Sequence, residues 1–232
     1  MKSLKSWGVI AAMVVGSNVA THFLFNGNTF TPQAGIHAVA EPAFYASGNK
    51  VNHSTKSADF YLADQAAQYI YDLNGFNHKV EDISTRLGIP KEWLLAVIAQ
   101  ESKFNPGIAN FAGSGAVGLI QFMPATAREM GTSTYELQQM GAENQMEYVY
   151  FYLNTVKDRY GSYRSLTDLY LGILYPKARG TDACYTLFAK PSKSYKQNAG
   201  LDEDKDGKVT VSDIENHLKR KFPEAYMKNI TA

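Results

Sequence analysis

The segment from residue 90 to residue 102 places a carboxylate on the apolar face of a predicted helix. Pro90 suits a first helical position, where its missing N–H has no intrahelical partner, and good helix formers follow it. Leu94, Val97 and Ile98 share one face at helical spacing. Glu101 continues this stripe, and burial there would raise its pKa. Glu101 is therefore a candidate proton donor near neutral pH, and the alternative is a helix-end side chain that turns into solvent.

The residues after this helix form a long motif. The chain reads ES-x-FNP from Glu101 and SGA-x-GL-x-Q-x-MP-x-TA from Ser114. The order and spacing resemble those of lytic transglycosylases of the soluble-lytic, goose-lysozyme-like type. The resemblance implies a lysozyme-like helical fold, peptidoglycan as the substrate and Glu101 as the single acid/base. It also implies substrate contacts at the positions of Gln121 and Met123.

Local chemistry adds to the interpretation of the motif. Glycines at positions 113, 115 and 118 permit positive φ and a close approach of a sugar to the backbone. Ser114 and Gly115 are therefore predicted to join the substrate site. If the segment is extended, Gln121 and Met123 share one side with two apolar residues, and an amide there can bind sugar hydroxyls. Ordinary core packing is the alternative for Met123.

A tyrosine further along the chain is the last predicted substrate contact. The family pattern A-Y-N-A-G, whose Tyr approaches the catalytic carboxyl, is matched here only at Tyr175, since Pro176 follows it. The departure leaves the groove geometry at this end open. Tyr170, on the preceding predicted helix, is a competing candidate for the same role.

A second motif, at residues 202–213, resembles a calcium-binding EF-hand loop. Carboxylates stand at alternate positions before Gly207, which would make the sharp turn. The predicted ligands are Asp202, Asp204, Asp206, the carbonyl of Lys208, and Asp213. An Asp in place of Glu at the last position is one methylene shorter, so affinity is reduced or shifts toward magnesium. The entering helix is weakly indicated, which favours a lone loop-helix module, and a solvated acidic turn is the alternative.

The remaining helical patterns predict a mainly α fold, consisting of a lysozyme-like domain and the EF-hand-like module. The segments with helical spacing are 62–73, 80–87, 124–130, 142–159, 166–174 and 211–222. Asn74-Gly75 is predicted to end the first of them.

Composition excludes several functions. The chain has 232 residues, 45% of them hydrophobic, and a formal net charge of +1, so it lacks the basic excess of a nucleic-acid-binding protein. The five histidines show no zinc-binding spacing, and no cofactor is expected for catalysis. The one cysteine, Cys184, lies in an apolar-looking run and is predicted to be buried. A monomer is expected.

The domain organisation follows from these segments. Residues 1–25 combine early lysines with an apolar stretch, which is typical of a signal peptide or a membrane anchor. Residues 26–57 are polar and aperiodic, as in a linker or flexible arm. Residues 58–190 are predicted to be the transglycosylase domain and residues 191–232 the calcium-binding module. Export to the periplasm, envelope or medium is expected, and a virion-borne protein is also compatible.

The reaction implied by the resemblance is cleavage of the β-1,4 bond between N-acetylmuramic acid and N-acetylglucosamine, with formation of a 1,6-anhydro ring. Two alternatives remain, a hydrolytic lysozyme or chitinase on the same scaffold, and a non-catalytic wall-binding component of a phage tail or envelope machine. Asp168 and Glu129 are the other acids considered, and no sequence feature pairs either of them with Glu101.

Overall fold

The computed structural model describes residues 60–110 and 114–228, and over these ranges the protein is mainly helical. The predicted N-terminal segments 1–25 and 26–57 lie outside the described residues. No helix in the described ranges is both long enough and apolar enough to cross a membrane. The α-helices, in chain order, are α1 Ala63–Ala66, α2 Leu73–Leu87, α3 Lys91–Ser102, α4 Pro124–Glu129, α5 Thr134–Gln139, α6 Ala142–Tyr160, α7 Leu166–Leu174, α8 Lys193–Asn198 and α9 Val211–Lys221. Short 3-10 helices span Pro176–Ala178, Ala199–Leu201 and Glu224–Met227.

Helix α3 lies at the centre of the domain and is buried on every face, not along a single stripe. Trp93 and Leu95, which stand off the predicted apolar face, are as deeply buried as Leu94. The helix packs against both α2 and α7. A helix that is apolar all round occupies an interior position. Its C-terminal residues, Glu101 included, are consequently surrounded by protein.

Helix α2 begins at the point where the sequence predicted a break. Asp72 accepts a hydrogen bond from the backbone N–H of Gly75 at 2.9 Å, so the Asn74-Gly75 pair forms the first turn of the helix. A side-chain cap of this kind satisfies an N–H group that has no intrahelical acceptor. The helix ends, as predicted, at Gly88, which has a φ of 75°. The predicted end at residue 73 is therefore wrong.

Helix α6 packs along α2. Lys79 on α2 forms an ion pair with Glu147 on α6. The guanidinium of Arg86 lies over the ring of Tyr150 at 3.6 Å from its centroid. These contacts hold α2 and α6 together.

The C-terminal segment shares the core of the helical domain. Strand β1, Thr186–Ala189, pairs antiparallel with β2, Lys208–Thr210, which joins residues on both sides of the predicted boundary at 190. Ile214 and Leu218 of α9 are fully buried in the common core. Helix α8 and the following 3-10 turn lead into the acidic loop, so an entering helix exists where the sequence indicated a lone loop-helix unit. Cys184, predicted to be buried, is exposed, because it lies in the turn that precedes β1.

Candidate active site

Glu101 is a buried carboxyl at the C-terminal end of α3. It is 3% exposed, and neither carboxylate oxygen has a hydrogen-bond partner among the described residues. Burial raises the pKa of Glu101 to about 8, against smaller lowering effects from Tyr170 and Lys221. A carboxyl with this pKa is protonated at neutral pH. It therefore has the properties of a general acid.

The structure brings Tyr170, not Tyr175, next to Glu101. Tyr170 lies on α7, is fully buried, and Glu101 contributes to raising the pKa of its phenol. The Tyr170 hydroxyl lowers the pKa of Glu101. The Tyr170 hydroxyl and the Glu101 carboxyl nevertheless make no hydrogen bond of normal geometry. Tyr175 is half-buried and packs edge-on against Phe188, with ring centroids 5.8 Å apart. A substrate contact of Tyr175 remains a prediction.

The backbone reverses sharply directly after Glu101. Lys103 and Phe104 both have positive φ values, 55° and 66°. Non-glycine residues adopt this conformation at an energetic cost, and such residues cluster at functional sites. Phe104 is fully buried and contacts Phe76 with ring centroids 6.1 Å apart, which holds the reversal in place. The packing of Phe104 thus fixes where the helix that carries Glu101 ends.

The second half of the motif is a compact turn, whereas the sequence analysis considered an extended segment. Val117 and Phe122 pair across the turn through two backbone hydrogen bonds. Gln121 has a φ of 55°, is 3% exposed and donates from its side-chain amide to the carbonyl of Gly118 at 3.1 Å. The shared side proposed for Gln121 and Met123 is therefore wrong, because a tight turn breaks strand alternation. The amide of Gln121 orders the turn, and its substrate contact remains a prediction.

Gln145, on α6, anchors the motif loop and was not identified from the sequence. Its Oε1 accepts from the backbone N–H of Leu119 at 2.9 Å. Its Nε2 donates to the carbonyls of Pro106 and Leu137, each at 2.6 Å. The side chain is fully buried, so these bonds satisfy groups that have no access to water. The only available signal was an amide on the buried face of a predicted helix.

The motif glycines are explained by local packing. A Cβ atom on Gly118 would lie 2.5 Å from Oε1 of Gln145, and its φ is 79°. A Cβ atom on Gly115 would lie 3.1 Å from Cγ of Pro124, and its φ is 72°. Ser114 is half-buried, and its Oγ accepts from the N–H of Ala116 at 3.2 Å. Gly115 itself is exposed, so the backbone here remains accessible to a ligand.

The other two candidate acids have different surroundings. Asp168 accepts from Nε and Nη2 of Arg179 at 2.8 and 2.9 Å, in a bidentate ion pair. This pairing gives Asp168 a structural role. Glu129 lies at the end of α4. Burial raises the pKa of the Tyr152 phenol, and the charges of Glu101 and Glu129 raise it further. Met123 is half-buried and directly precedes α4.

Three of the predicted metal ligands lie together in the acidic loop. Asp202, Asp204 and Asp206 each present an oxygen atom within 4.8 Å of the others. Asp202 is 6% exposed, and its Oδ1 has no hydrogen-bond partner among the described residues. Gly207 has a φ of 93° and its N–H donates to Oδ2 of Asp202 at 3.0 Å. Lys208 begins β2, and its carbonyl remains the predicted fourth ligand.

Asp213 is not one of the three clustered carboxylates, and its role as a metal ligand remains a prediction. Its Oδ2 accepts from the N–H of Thr210 at 2.8 Å in a capping box at the start of α9. Its Oδ1 accepts from the N–H of Glu203 at 3.1 Å. The shorter Asp side chain therefore caps the helix and braces the loop backbone.

Residues 79–170 match the family model described as the Transglycosylase SLT domain. The matched segment contains α3 with Glu101, the motif loop and α6, and it ends at Tyr170. This segment is therefore similar to the transglycosylase SLT domain, which supports the resemblance to lytic transglycosylases. The predicted mainly α, lysozyme-like fold is confirmed. Tyr175 and the acidic loop lie beyond the match.

Proposed function

We propose that the protein is a peptidoglycan lytic transglycosylase that cleaves the β-1,4 bond between N-acetylmuramic acid and N-acetylglucosamine. The observation that carries the proposal is the burial of Glu101, which raises its pKa to about 8 within the matched domain. A group with these properties donates a proton to a leaving glycosidic oxygen at neutral pH. An envelope or extracellular location follows from this substrate.

The proposed reaction uses Glu101 twice. Protonated Glu101 donates to the glycosidic oxygen as the C1–O bond breaks, and the leaving N-acetylglucosamine gains a free 4-hydroxyl. The C6 hydroxyl of the same N-acetylmuramic acid then attacks C1 and transfers its proton to the Glu101 carboxylate. A 1,6-anhydro ring forms, Glu101 is again protonated, and no water is consumed. An intramolecular nucleophile has a high effective concentration, so a base that activates water is not required.

The surroundings of Asp168 support this route over hydrolysis. An inverting or retaining hydrolase uses a second carboxylate on the opposite side of the bond. Asp168 is committed to Arg179 through two hydrogen bonds, which removes one of the two acids considered. Glu129 remains the candidate base for the hydrolytic alternative.

The test is product analysis on purified peptidoglycan. The proposed reaction releases anhydro-muramic ends, which are lighter than reducing ends by one water molecule. Wild-type protein should produce anhydro ends, and Glu101→Gln should release neither product while still binding glycan strands. Reducing ends that depend on both Glu101 and Glu129 would identify a hydrolase. Equal release by wild type and Glu101→Gln would contradict the catalytic role of Glu101.

We also propose that the acidic loop binds calcium. The supporting observation is the buried Oδ1 of Asp202, which has no partner within the described ranges and lies beside the oxygens of Asp204 and Asp206. Hard oxygen ligands suit calcium, which also accepts backbone carbonyls such as that of Lys208. A bound cation would supply the missing partner of Asp202 and offset the repulsion among the three carboxylates. Tyr195, which donates to Oδ2 of Asp202 at 2.6 Å, would orient the first ligand.

A further inference from the structure

The C-terminal helix α9 lies next to the helix that carries the proposed acid. Helix α9 packs on α7, and α7 packs on α3. Lys221, the last residue of α9, donates a hydrogen bond from Nζ to Oε1 of Gln100 at 2.7 Å. Gln100 immediately precedes Glu101 on α3. A residue from outside the matched segment 79–170 is thus tied to the end of the catalytic helix.

The amide of Gln100 is held from both ends. Its Nε2 lies 3.3 Å from Nε2 of His217, a buried residue of α9. The other ring nitrogen, Nδ1, lies 2.8 Å from Oε1 of Glu203. Because an amide nitrogen only donates and a carboxylate only accepts, one neutral tautomer with its proton on Nδ1 satisfies both contacts. Arg220 also donates to Glu203, at 2.6 Å, so the network extends into the acidic loop.

Lys221 contributes the positive charge that acts on Glu101. Its ammonium lowers the pKa of Glu101. Partial desolvation lowers the pKa of Lys221, which is an exposed residue, and the charge of Glu101 opposes this shift. The Tyr170 hydroxyl acts on Glu101, and the charge of Glu101 acts on both Tyr170 and Tyr152. Burial raises the pKa of both phenols, so both stay neutral. The positive charge of Lys103 further lowers the pKa of Lys221. The hydroxyl of Tyr170 and the cation at the end of α9 therefore both favour an ionised Glu101, and Lys221 is the charged member of the two.

We propose that Lys221 is a positioning residue of the active site, held by Gln100, that stabilises the Glu101 carboxylate formed after the first proton transfer. The inference rests on the proposed function. A single acid/base must be neutral and charged in turn within one cycle, and burial favours only the neutral form. A fixed ammonium stabilises negative charge as it develops in the transition state. The C-terminal module would then complete the active site of the matched domain.

The test compares three lysine variants. Lys221→Gln removes the charge, Lys221→Arg keeps it, and Lys219→Gln removes a charge from the same helix that pairs with Glu215. We expect Lys221→Gln to lower kcat roughly fivefold to tenfold and to move the alkaline limb of the kcat profile upward by roughly half a pH unit to one pH unit. Lys221→Arg should largely restore both values. Lys219→Gln should behave like the wild type.

A direct titration separates this inference from the proposed function. The carboxyl carbon of Glu101, followed by NMR, should titrate at higher pH in Lys221→Gln than in the wild type, whether or not the protein turns over substrate. The role of Lys221 would be overturned if Glu101 titrated at the same pH in both proteins, or if an active wild type and Lys221→Gln had the same alkaline limb of kcat. Either result would leave the proposed function in place. A wild type that leaves peptidoglycan intact would overturn the proposed function instead. A loss of thermal stability without a change of the limb would show a structural role only.

Discussion

Glu101 combines deep burial with the absence of a hydrogen-bond partner for either oxygen among the described residues. Burial is the largest effect on its pKa, which it raises to about 8. The same effect has two consequences. It keeps the proton that the proposed reaction needs, and it makes ionisation of this residue unfavourable for the fold.

The first prediction concerns the free energy of unfolding. The pKa of Glu101 is higher in the folded protein than in the unfolded chain, so its stabilising contribution is complete below about pH 4.5 and is lost as the pH rises to about 8. Glu101→Gln has no such loss and should exceed the wild type by about 3 kcal/mol at pH 7. Urea unfolding at pH 5 and pH 8 measures the gap. Exposed Glu224→Gln is the control, and a gap that does not widen with pH would contradict the prediction.

The second prediction concerns the pH dependence of activity. Glu101 must carry a proton at the start of the cycle, so kcat/KM should fall as the pH rises through about 8. Activity should be full near neutral pH, where a carboxyl of ordinary pKa would already be ionised. Initial rates on soluble peptidoglycan between pH 5 and pH 9 test this. A rate that climbs steadily above pH 8 would mean that another group is the acid.

Helix α6 determines the shape of the motif loop through a single side chain. Gln145 satisfies the N–H of Leu119 and the carbonyls of Pro106 and Leu137, which lie on three separate segments. Gly118 allows this amide to approach the turn, since a Cβ atom there would overlap with it. The loop and the helix therefore form one unit.

The third prediction is that Gln145→Leu loosens this unit. The variant removes the partners of the Leu119 N–H and the Pro106 carbonyl, and it leaves the carbonyl of Leu137 with only the N–H of Met140, which should lower the free energy of unfolding by about 3 kcal/mol. Activity should fall along with it, because Gln145 also holds the carbonyl of Pro106, which lies shortly after the end of the catalytic helix. Thermal unfolding and wall-lysis rates measure both effects. Asn144→Ala, at the exposed neighbouring position, should leave both unchanged; equal effects of the two variants would remove the special role of Gln145.

At the scale of the whole molecule, the acidic loop and the helical domain share a core. Strands β1 and β2 join the loop to the segment that follows α7, and α9 returns to pack on α7. Ordering the loop therefore stabilises the surface against which α7 and α3 pack. This arrangement links occupancy of the loop to the stability of the domain.

The fourth prediction is that calcium raises the melting temperature without entering the chemistry. Binding to the folded form alone stabilises by roughly 2.7 kcal/mol when the ion is at a hundred times its dissociation constant. Asp204→Ala should abolish this gain, whereas exposed Asp182→Ala, outside the loop, should keep it. Wall cleavage should survive chelation at low temperature and fail sooner on heating. Calorimetry with calcium and with chelator decides the matter, and identical melting curves would identify an ordinary acidic turn.

Local patterns were sufficient to predict much of the fold. Helix α7 spans the predicted residues 166–174, and α6 differs by one residue from its predicted end, because helical spacing of apolar residues is a property of the segment itself. The error at α2 arose because Asp72 caps the helix across Asn74-Gly75, so a pair typical of turns lies in a first turn. The place of Glu101 on an apolar stripe left burial and solvent exposure both open, and the motif that follows the helix favoured burial.

The sequence by itself indicated the longer helices, the position of the proposed acid and the acidic loop. Only the tertiary structure decided that Tyr170 lies next to Glu101, that Asp213 caps α9, and that Lys221 reaches Gln100. The physical reason is that these contacts join residues far apart in the chain, and their distances depend on how whole helices pack. Periodicity and spacing describe one segment at a time, whereas the charge around a buried carboxyl depends on every element packed against it.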